Sequence, residues 1–144
     1  MLLPDVGIHR KGEVNLPNLF EKMRASLGKE VGAIGCFVGV VRGISAEGEP
    51  VKHLYYENSE EAVEKLGEIA ADIERRPGIS SVMIHHVVDE LSPGDDAIYV
   101  LVAGARRAEV FRALPEIMDR VKKEVPIWKE EVTEKKRRWG HEIH

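Results

Sequence analysis

The apolar residues of this 144-residue chain recur with two periods, and the switching between them sketches the fold. After Leu16, the residues Leu19, Phe20, Met23 and Leu27 follow at the steps of one helical face, and Asn15 stands ahead of them as a cap. Ala62, Val63, Leu66, Ile69, Ala70 and Ile73 repeat that spacing. Asn58 and Glu61 precede them in the arrangement of a capping box, and the helix stops before RRPG at 75–78. A third set comprises Val110, Phe111, Leu114, Ile117, Met118 and Val121. It contains Pro115, which removes one helix hydrogen bond and is expected to kink or restart the helix.

The remaining apolar runs read as strands. Residues 4–9 form a short first one. GAIGCFVGVVRG (32–43) has no helical period and reads as a buried strand whose glycines permit close backbone approach. PVKHLYYE (50–57) alternates, and is its expected hairpin partner across the loop SAEGE. ISSVMIHHVV (79–88) and DAIYVLVAG (96–104) are joined through the turn signal SPGD, and the tail from Trp128 alternates loosely enough for a closing hairpin. The order β-α-β-β-α-β-β-α-β-β predicts an α+β fold, with a mostly antiparallel sheet and three main helices. A doubly wound parallel sheet would need a helix after nearly every strand. The length and a 43% hydrophobic content suit one domain over residues 1–144.

Composition narrows the chemistry. A net charge of −4 excludes a general polyanion binder, so a basic site must be local. The single cysteine, Cys36, rules out an internal disulfide framework and suits a reducing cytoplasm. No run reaches the ~18 apolar residues of a membrane span, and the first residues lack the pattern of a leader, so a cytoplasmic protein without membrane contact is expected. His85 and His86 are neighbours on a strand and point to opposite faces. One packed and one exposed histidine are therefore expected, and no metal. Cys36 lies in an apolar strand, where a thiol becomes harder to ionise, and reads as a small buried hydrophobe. Ser45 and Ser59 have no hydrolase motif around them. GAIGCFVG opens no helix and precedes no Lys-Ser/Thr, which argues against a nucleotide loop.

Basic residues remain. Arg42 ends the glycine-rich strand, Arg106 and Arg107 stand where a strand gives way to the third helix, and Lys122 and Lys129 flank VPIW. With the helix N-terminal amides, such a set can hold a compact anion such as a phosphate ester. Lysines and arginines on helices are usually solvated, and Lys122 and Arg107 taken singly fit that description. Lys129 differs: Pro126 and Trp128 restrict its surroundings, and a lysine held against apolar surface can lose its proton more readily and act.

In this order, GAIGCFVGVVRG, LYYE, IHHVV…LSPGD, RRAEVF and VKKEVPIWKEE resemble the large, catalytic subunit of molybdopterin synthase, from about residue 30 to Trp139. The most specific parts are F-x-G-x-V-R (Phe37 to Arg42) and K-x3-P-I-W-K (from Lys122). The resemblance implies an α/β hammerhead-type fold and a homodimer with a small ubiquitin-like sulfur-carrier subunit at each end, together a heterotetramer. The small subunit ends in Gly-Gly as a thiocarboxylate and gives its sulfur to cyclic pyranopterin monophosphate, and two transfers make the dithiolene of molybdopterin. Lys129 and Lys122 match the family's essential lysines. Arg42, Arg106, Arg107, Phe37 and Trp128 are the expected substrate-binding residues. Neither a resident cofactor nor a metal is implied.

The sequence also departs from the family's usual pattern. Arg106-Arg107 stands for His-Arg, and a guanidinium cannot shuttle a proton near pH 7. YENS replaces YEAY, Glu130 replaces a lysine, and Lys135-Lys136 replaces an Asp-Gly turn. A second reading is therefore a catalytically weak homologue that binds a ubiquitin-like partner. A third, nucleic-acid binding through EKKRRW (134–139), is opposed by the net charge and by the shortness of that run.

Overall fold

A computed structural model describes residues 4–134 and 137–141. The chain runs β1 (Asp5–His9), α1 (Leu16–Ala25), β2 (Ala33–Val40), β3 (Val51–Asn58), α2 (Ala62–Glu74), β4 (Ile79–Val87), β5 (Glu90–Leu91), β6 (Asp96–Gly104), α3 (Arg107–Glu124), β7 (Ile127–Thr133) and β8 (Arg137–His141). This is the expected α+β order with the two-residue β5 added. The strands form two four-stranded sheets, ordered β1-β4-β6-β2 and β5-β3-β7-β8. All pairings are antiparallel except β1 with β4.

In the first sheet, β4 and β6 are central, and both faces of β6 are buried from Ala97 to Gly104. Helices α2 and α3 lie on one face. The close approach of α3 depends on Gly35 of β2, where an added Cβ would stand 2.4 Å from Val110 Cγ1. Helix α1 covers part of the other face through Leu19 and Met23. Its N-terminus is capped as expected, with the Asn15 side chain accepting from the Asn18 N–H at 3.0 Å.

Four expectations need correction. The glycine-rich strand is not interior: β2 is the edge of the first sheet, paired only with β6, and Cys36 is exposed. Strands β2 and β3 are not a hairpin. The Val51 N–H donates to the Gly43 carbonyl, and Ile44 bridges Pro50, but the chains then part and β3 enters the second sheet beside β7. The short root reproduces a hairpin's local signal, while β3's alternating burial suits a sheet with one wet face. The α2 cap is Glu61 without a side-chain bond, because Asn58 is still the last residue of β3. Both His85 and His86 are buried, at 5% and 0% exposure, because the first sheet is covered on both faces at that point.

Helix α3 passes through Pro115 without interruption, so it does not restart. The carbonyl that the proline leaves unbonded belongs to Phe111, an exposed residue, where water can take the missing bond. The tail forms the expected hairpin of β7 and β8, and its Lys135-Lys136 turn lies outside the described residues.

Candidate active site

Helix α3 ends at Glu124 and is capped by Val125, whose N–H returns to the Val121 carbonyl. The next residue is Pro126, at the centre of a three-residue turn closed by the Ile127 N–H and the Val125 carbonyl at 2.8 Å. Proline's fixed φ suits that turn. The Ser59 N–H donates to the Pro126 carbonyl at 3.1 Å and ties the turn to the end of β3. The VPIW corner thus fixes where β7 begins, and the period of two fixes which side chains face which way. Ile127, Lys129 and Glu131 share one face, with Trp128 and Glu130 on the other.

Across the β3–β7 ladder, Lys129 is opposite Tyr56, and Glu131 is opposite Leu54. These four residues line a cleft of about 240 Å³ together with the end of β2, from Phe37 to Arg42. Tyr56 and Leu54 form its buried floor, at 4% and 5% exposure. Lys129 is half-buried in it, and Arg42 is exposed at its mouth. Two cations and an apolar floor can bind a flat, anionic ligand, and Glu131 adds an acceptor.

Of the residues expected from sequence, the structure brings Phe37, Arg42 and Lys129 together. Trp128 stands on the opposite face of β7 and is 40% exposed, so it neither lines the cleft nor shields Lys129. Lys122 is half-buried on the last turn of α3 and does not line the cleft. Arg106 and Arg107 are exposed at the start of α3, just past Gly104, which pairs with Ala33 at the far end of β2. From there to Arg42 is on the order of 25 Å along the strand.

Tyr56, Leu54 and Glu131 were not singled out from sequence as site residues. The signal was present in the two-residue step from Lys129 to Glu131. For Tyr56 and Leu54 it required knowing that β3 pairs with β7. The thiol of Cys36, exposed at the edge yet partly desolvated by its apolar strand, is pushed up from its ordinary value, and its side chain alternates away from that of Phe37 and from the cleft.

The described residues contain no group of three or more His, Cys, Asp or Glu side chains able to hold a metal ion. A histidine pair lies elsewhere, at the outer edge of the first sheet. His85 Nε2 is 2.8 Å from Asp5 Oδ1, and His85 Nδ1 is 2.8 Å from His9 Nε2. Burial pulls both histidines below their ordinary value, against the carboxylate of Asp5. Burial would raise Asp5, but Lys22 and His85 outweigh it, and its carboxyl stays below the usual range. No described helix is long and apolar enough to cross a membrane.

Two mixed-in-sequence segments, the end of β2 and the start of β7, thus meet over a tyrosine floor in a two-sheet α+β frame. That frame is of the molybdopterin-synthase large-subunit kind. The MoaE protein family model matches residues 8–124, and the chain belongs to that family. It is 40% identical over 110 residues to the molybdopterin synthase catalytic subunit of Pasteurella multocida, covering 76% of this chain and 73% of that one. It is 36% identical over 132 residues to a probable molybdopterin synthase of Haloferax volcanii, covering 90% of this chain but only 51% of that protein, so it spans about half of that relative's length. The crystal structure of molybdopterin synthase from Staphylococcus aureus superposes with a TM-score of 0.80 at 27% identity, covering 97% of this chain and 98% of that one. A protein–protein complex of subunits 1 and 2 of molybdopterin-converting factor from Helicobacter pylori shares the fold, with a TM-score of 0.69 at 21% identity over 94% of this chain and 89% of that one.

Proposed function

We propose that the cleft between Arg42 and Lys129 is where sulfur passes from a carrier protein to a pterin. The chain is a molybdopterin synthase catalytic subunit, a sulfurtransferase. The sulfur arrives as the thiocarboxylate at the Gly-Gly end of a small ubiquitin-like subunit. The acceptor is cyclic pyranopterin monophosphate, and two transfers build the dithiolene. The observation that carries this reading is the convergence of Phe37, Arg42 and Lys129, from distant parts of the sequence, on one cleft.

The chemistry follows from what the cleft offers. The nucleophile comes with the partner, so this chain needs no reactive cysteine. Arg42 at the mouth pairs with the phosphate, for which a guanidinium fork is well shaped. Phe37 is the apolar wall beside the pterin. Lys129 stabilises the oxyanion at the carrier's acyl carbon and moves the proton that opening of the pyran ring requires. Lys122 supports it from the helix end. Trp128 serves through the corner it helps to build.

Arg106 and Arg107 are too far from this chain's own cleft to touch its ligand. They bind the phosphate only in the cleft of a second copy, which agrees with a homodimer at the core of a heterotetramer. The two-subunit complex from Helicobacter pylori supports a small-subunit partner. A cytoplasmic location and a single domain over residues 1–144 complete the reading.

The test is single-turnover conversion of the pyranopterin precursor with thiocarboxylated partner. Lys129→Ala should lower the rate by roughly 10²-fold or more, the scale of one general acid–base group, with melting temperature and partner affinity unchanged. A variant keeping more than half of the wild-type rate would leave the cleft a binding site only.

A further inference from the structure

We propose that Tyr56 is a positioning residue for Lys129, its ring serving as the wall that sets the direction of the lysine stem. The proposal rests on the reading of the cleft given above and adds a residue to it. Tyr56 and Lys129 are directly opposed on neighbouring strands and face the same way into the cleft. Opposed residues of an antiparallel pair hold their Cβ atoms about 5 Å apart, so the methylenes of Lys129 must leave the strand alongside the phenol ring.

The ring itself is held from behind. It meets His86 edge-on, with centroids 5.1 Å apart and planes at 70°. His86 is fully buried, and its Nδ1 lies 2.9 Å from the Val87 carbonyl oxygen. A carbonyl only accepts, so Nδ1 carries the proton and donates, which fixes the imidazole. The backbone of Tyr56 is held as well: its N–H donates to the Asp89 carbonyl at 3.1 Å, outside the β3–β7 ladder. A fixed imidazole therefore backs a fixed phenol, and the phenol faces the lysine.

A lysine has four rotatable side-chain bonds and loses about 2 kcal/mol of rotamer freedom when held in one geometry. A wall that excludes most rotamers before substrate arrives lowers that cost at the moment of reaction. Misplacing a reacting group by 1 Å can cost about 10²-fold in rate, so the wall acts on kcat rather than on binding. The ring is assigned this role because it is the ring that meets His86, on a residue directly opposed to Lys129 in the ladder.

The experiment is a double-mutant cycle in the single-turnover assay. Tyr56→Leu should lower the rate about 10-fold, within the range set by misplacement of a reacting group, and leave KM for the pterin within twofold. Tyr56→Phe should retain at least half of the rate. In the Lys129→Ala background, Tyr56→Leu should change the rate by less than about twofold, because a residue acting through Lys129 has nothing left to act on. Circular dichroism and partner affinity confirm the fold of each variant. Tyr56→Met, flexible enough to fill the same space, takes the place of leucine should that variant unfold, with the same loss expected.

A fully active Tyr56→Leu, a Tyr56→Phe as damaged as Tyr56→Leu, or costs that multiply in the double variant would each overturn the assignment. If Lys129→Ala alone keeps its rate, the reading of the cleft fails, and the assignment of Tyr56 fails with it. If Lys129→Ala is inactive while Tyr56→Leu is not, only the assignment of Tyr56 fails.

Discussion

The two sheets of this molecule put polar groups to opposite uses. In the first, β4 and β6 are buried on both faces, and every polar side chain among them must find a partner within the protein. His85 does so with Asp5 and His9, and Tyr99 donates to Asp96 at 2.7 Å. In the second, β3 alternates buried and wetter positions, and β7 carries the half-buried Lys129 and Glu131 beside it. Lys129 and Glu131 occupy the face that would otherwise be core and open into a cleft instead. The first sheet closes its polar groups against each other, and the second opens Lys129 and Glu131 onto a cleft. The same strand geometry thus yields either a closed polar network or an open cleft, according to how much of each face is covered.

That contrast can be broken most strongly by substitutions that should affect one sheet and spare the other. Leu101 lies at the centre of β6 with no exposed surface. Leu101→Ala should cost about 2–5 kcal/mol of stability, the range of a buried leucine truncation. Its turnover per folded molecule should stay close to normal. Lys129→Ala should do the reverse: a loss of about 10² in rate is about 2.7 kcal/mol of barrier, with no change in denaturant midpoint. Urea titration and single-turnover kinetics on both variants decide the matter. A Lys129→Ala that melts early, or a Leu101→Ala that folds but does not react, would remove the division of labour between the sheets.

Local pattern was enough for the helices and for the order of the strands, because a 3.6-residue period and a cap such as Asn15 are properties of neighbouring residues. It failed where the decision was between sheets. GAIGCFVG is apolar enough for a central strand, yet β2 lies at an edge, and nothing within the segment says how many strands flank it. PVKHLYYE follows a short loop and makes a hairpin root at Ile44 and Pro50, but its partner β7 is contributed from the far end of the chain. The site shows the same division. Phe37, Arg42 and Lys129 were legible through their motifs. Tyr56 and Leu54 became visible as cleft residues only once β3 was paired with β7. Trp128 lies outside the cleft, because adjacency to Lys129 in sequence means the opposite face on a strand.

The first sheet's closure can be sharpened at Gly7. A Cβ there would lie 2.7 Å from His9 Nε2 and 3.1 Å from His85 Nδ1, so the glycine leaves the space in which the two rings meet. Gly7→Ala should break the His9–His85 contact and cost about 1–3 kcal/mol, the range for overpacking. His9→Ala in the same chain should recover most of that loss, since His9 is the nearer clash. Thermal melts of the two single variants and the double variant test this. Equal costs in the presence and absence of the His9 ring would show that the glycine serves the backbone instead. Activity should be unaffected throughout, because no cleft residue is touched.

The smallest effect expected is the pH dependence of the same group, and its sign follows from the hydrogen bonds. Asp5 is ionised and can only accept, so His85 donates from Nε2 and presents a bare Nδ1, to which His9 donates. Neutral rings satisfy this chain, and a second proton does not. Burial therefore pulls His85 and His9 below the ordinary value of 6.5, even though Asp5 faces both, and Glu13 faces His9 from the following loop. Lys22 of α1 adds a like charge to His85, and from β6 the Tyr99 hydroxyl is already committed to Asp96. When the folded pKa is lower than the unfolded one, the unfolded chain binds protons first. The stability contributed by the neutral pair is thus complete above 6.5 and is lost as pH falls from that value toward the lowered folded values. Asp5 titrates the other way: its carboxyl is held below 3.8, so its contribution survives until the pH is lower still and does not cause the earlier loss. The melting temperature should therefore fall by a few degrees between pH 7.5 and 5.5, and His9→Ala should at least halve that fall by leaving His85 alone with Asp5. An equal fall in the variant would place the pH dependence elsewhere, and the histidine pair would then be only a packing contact.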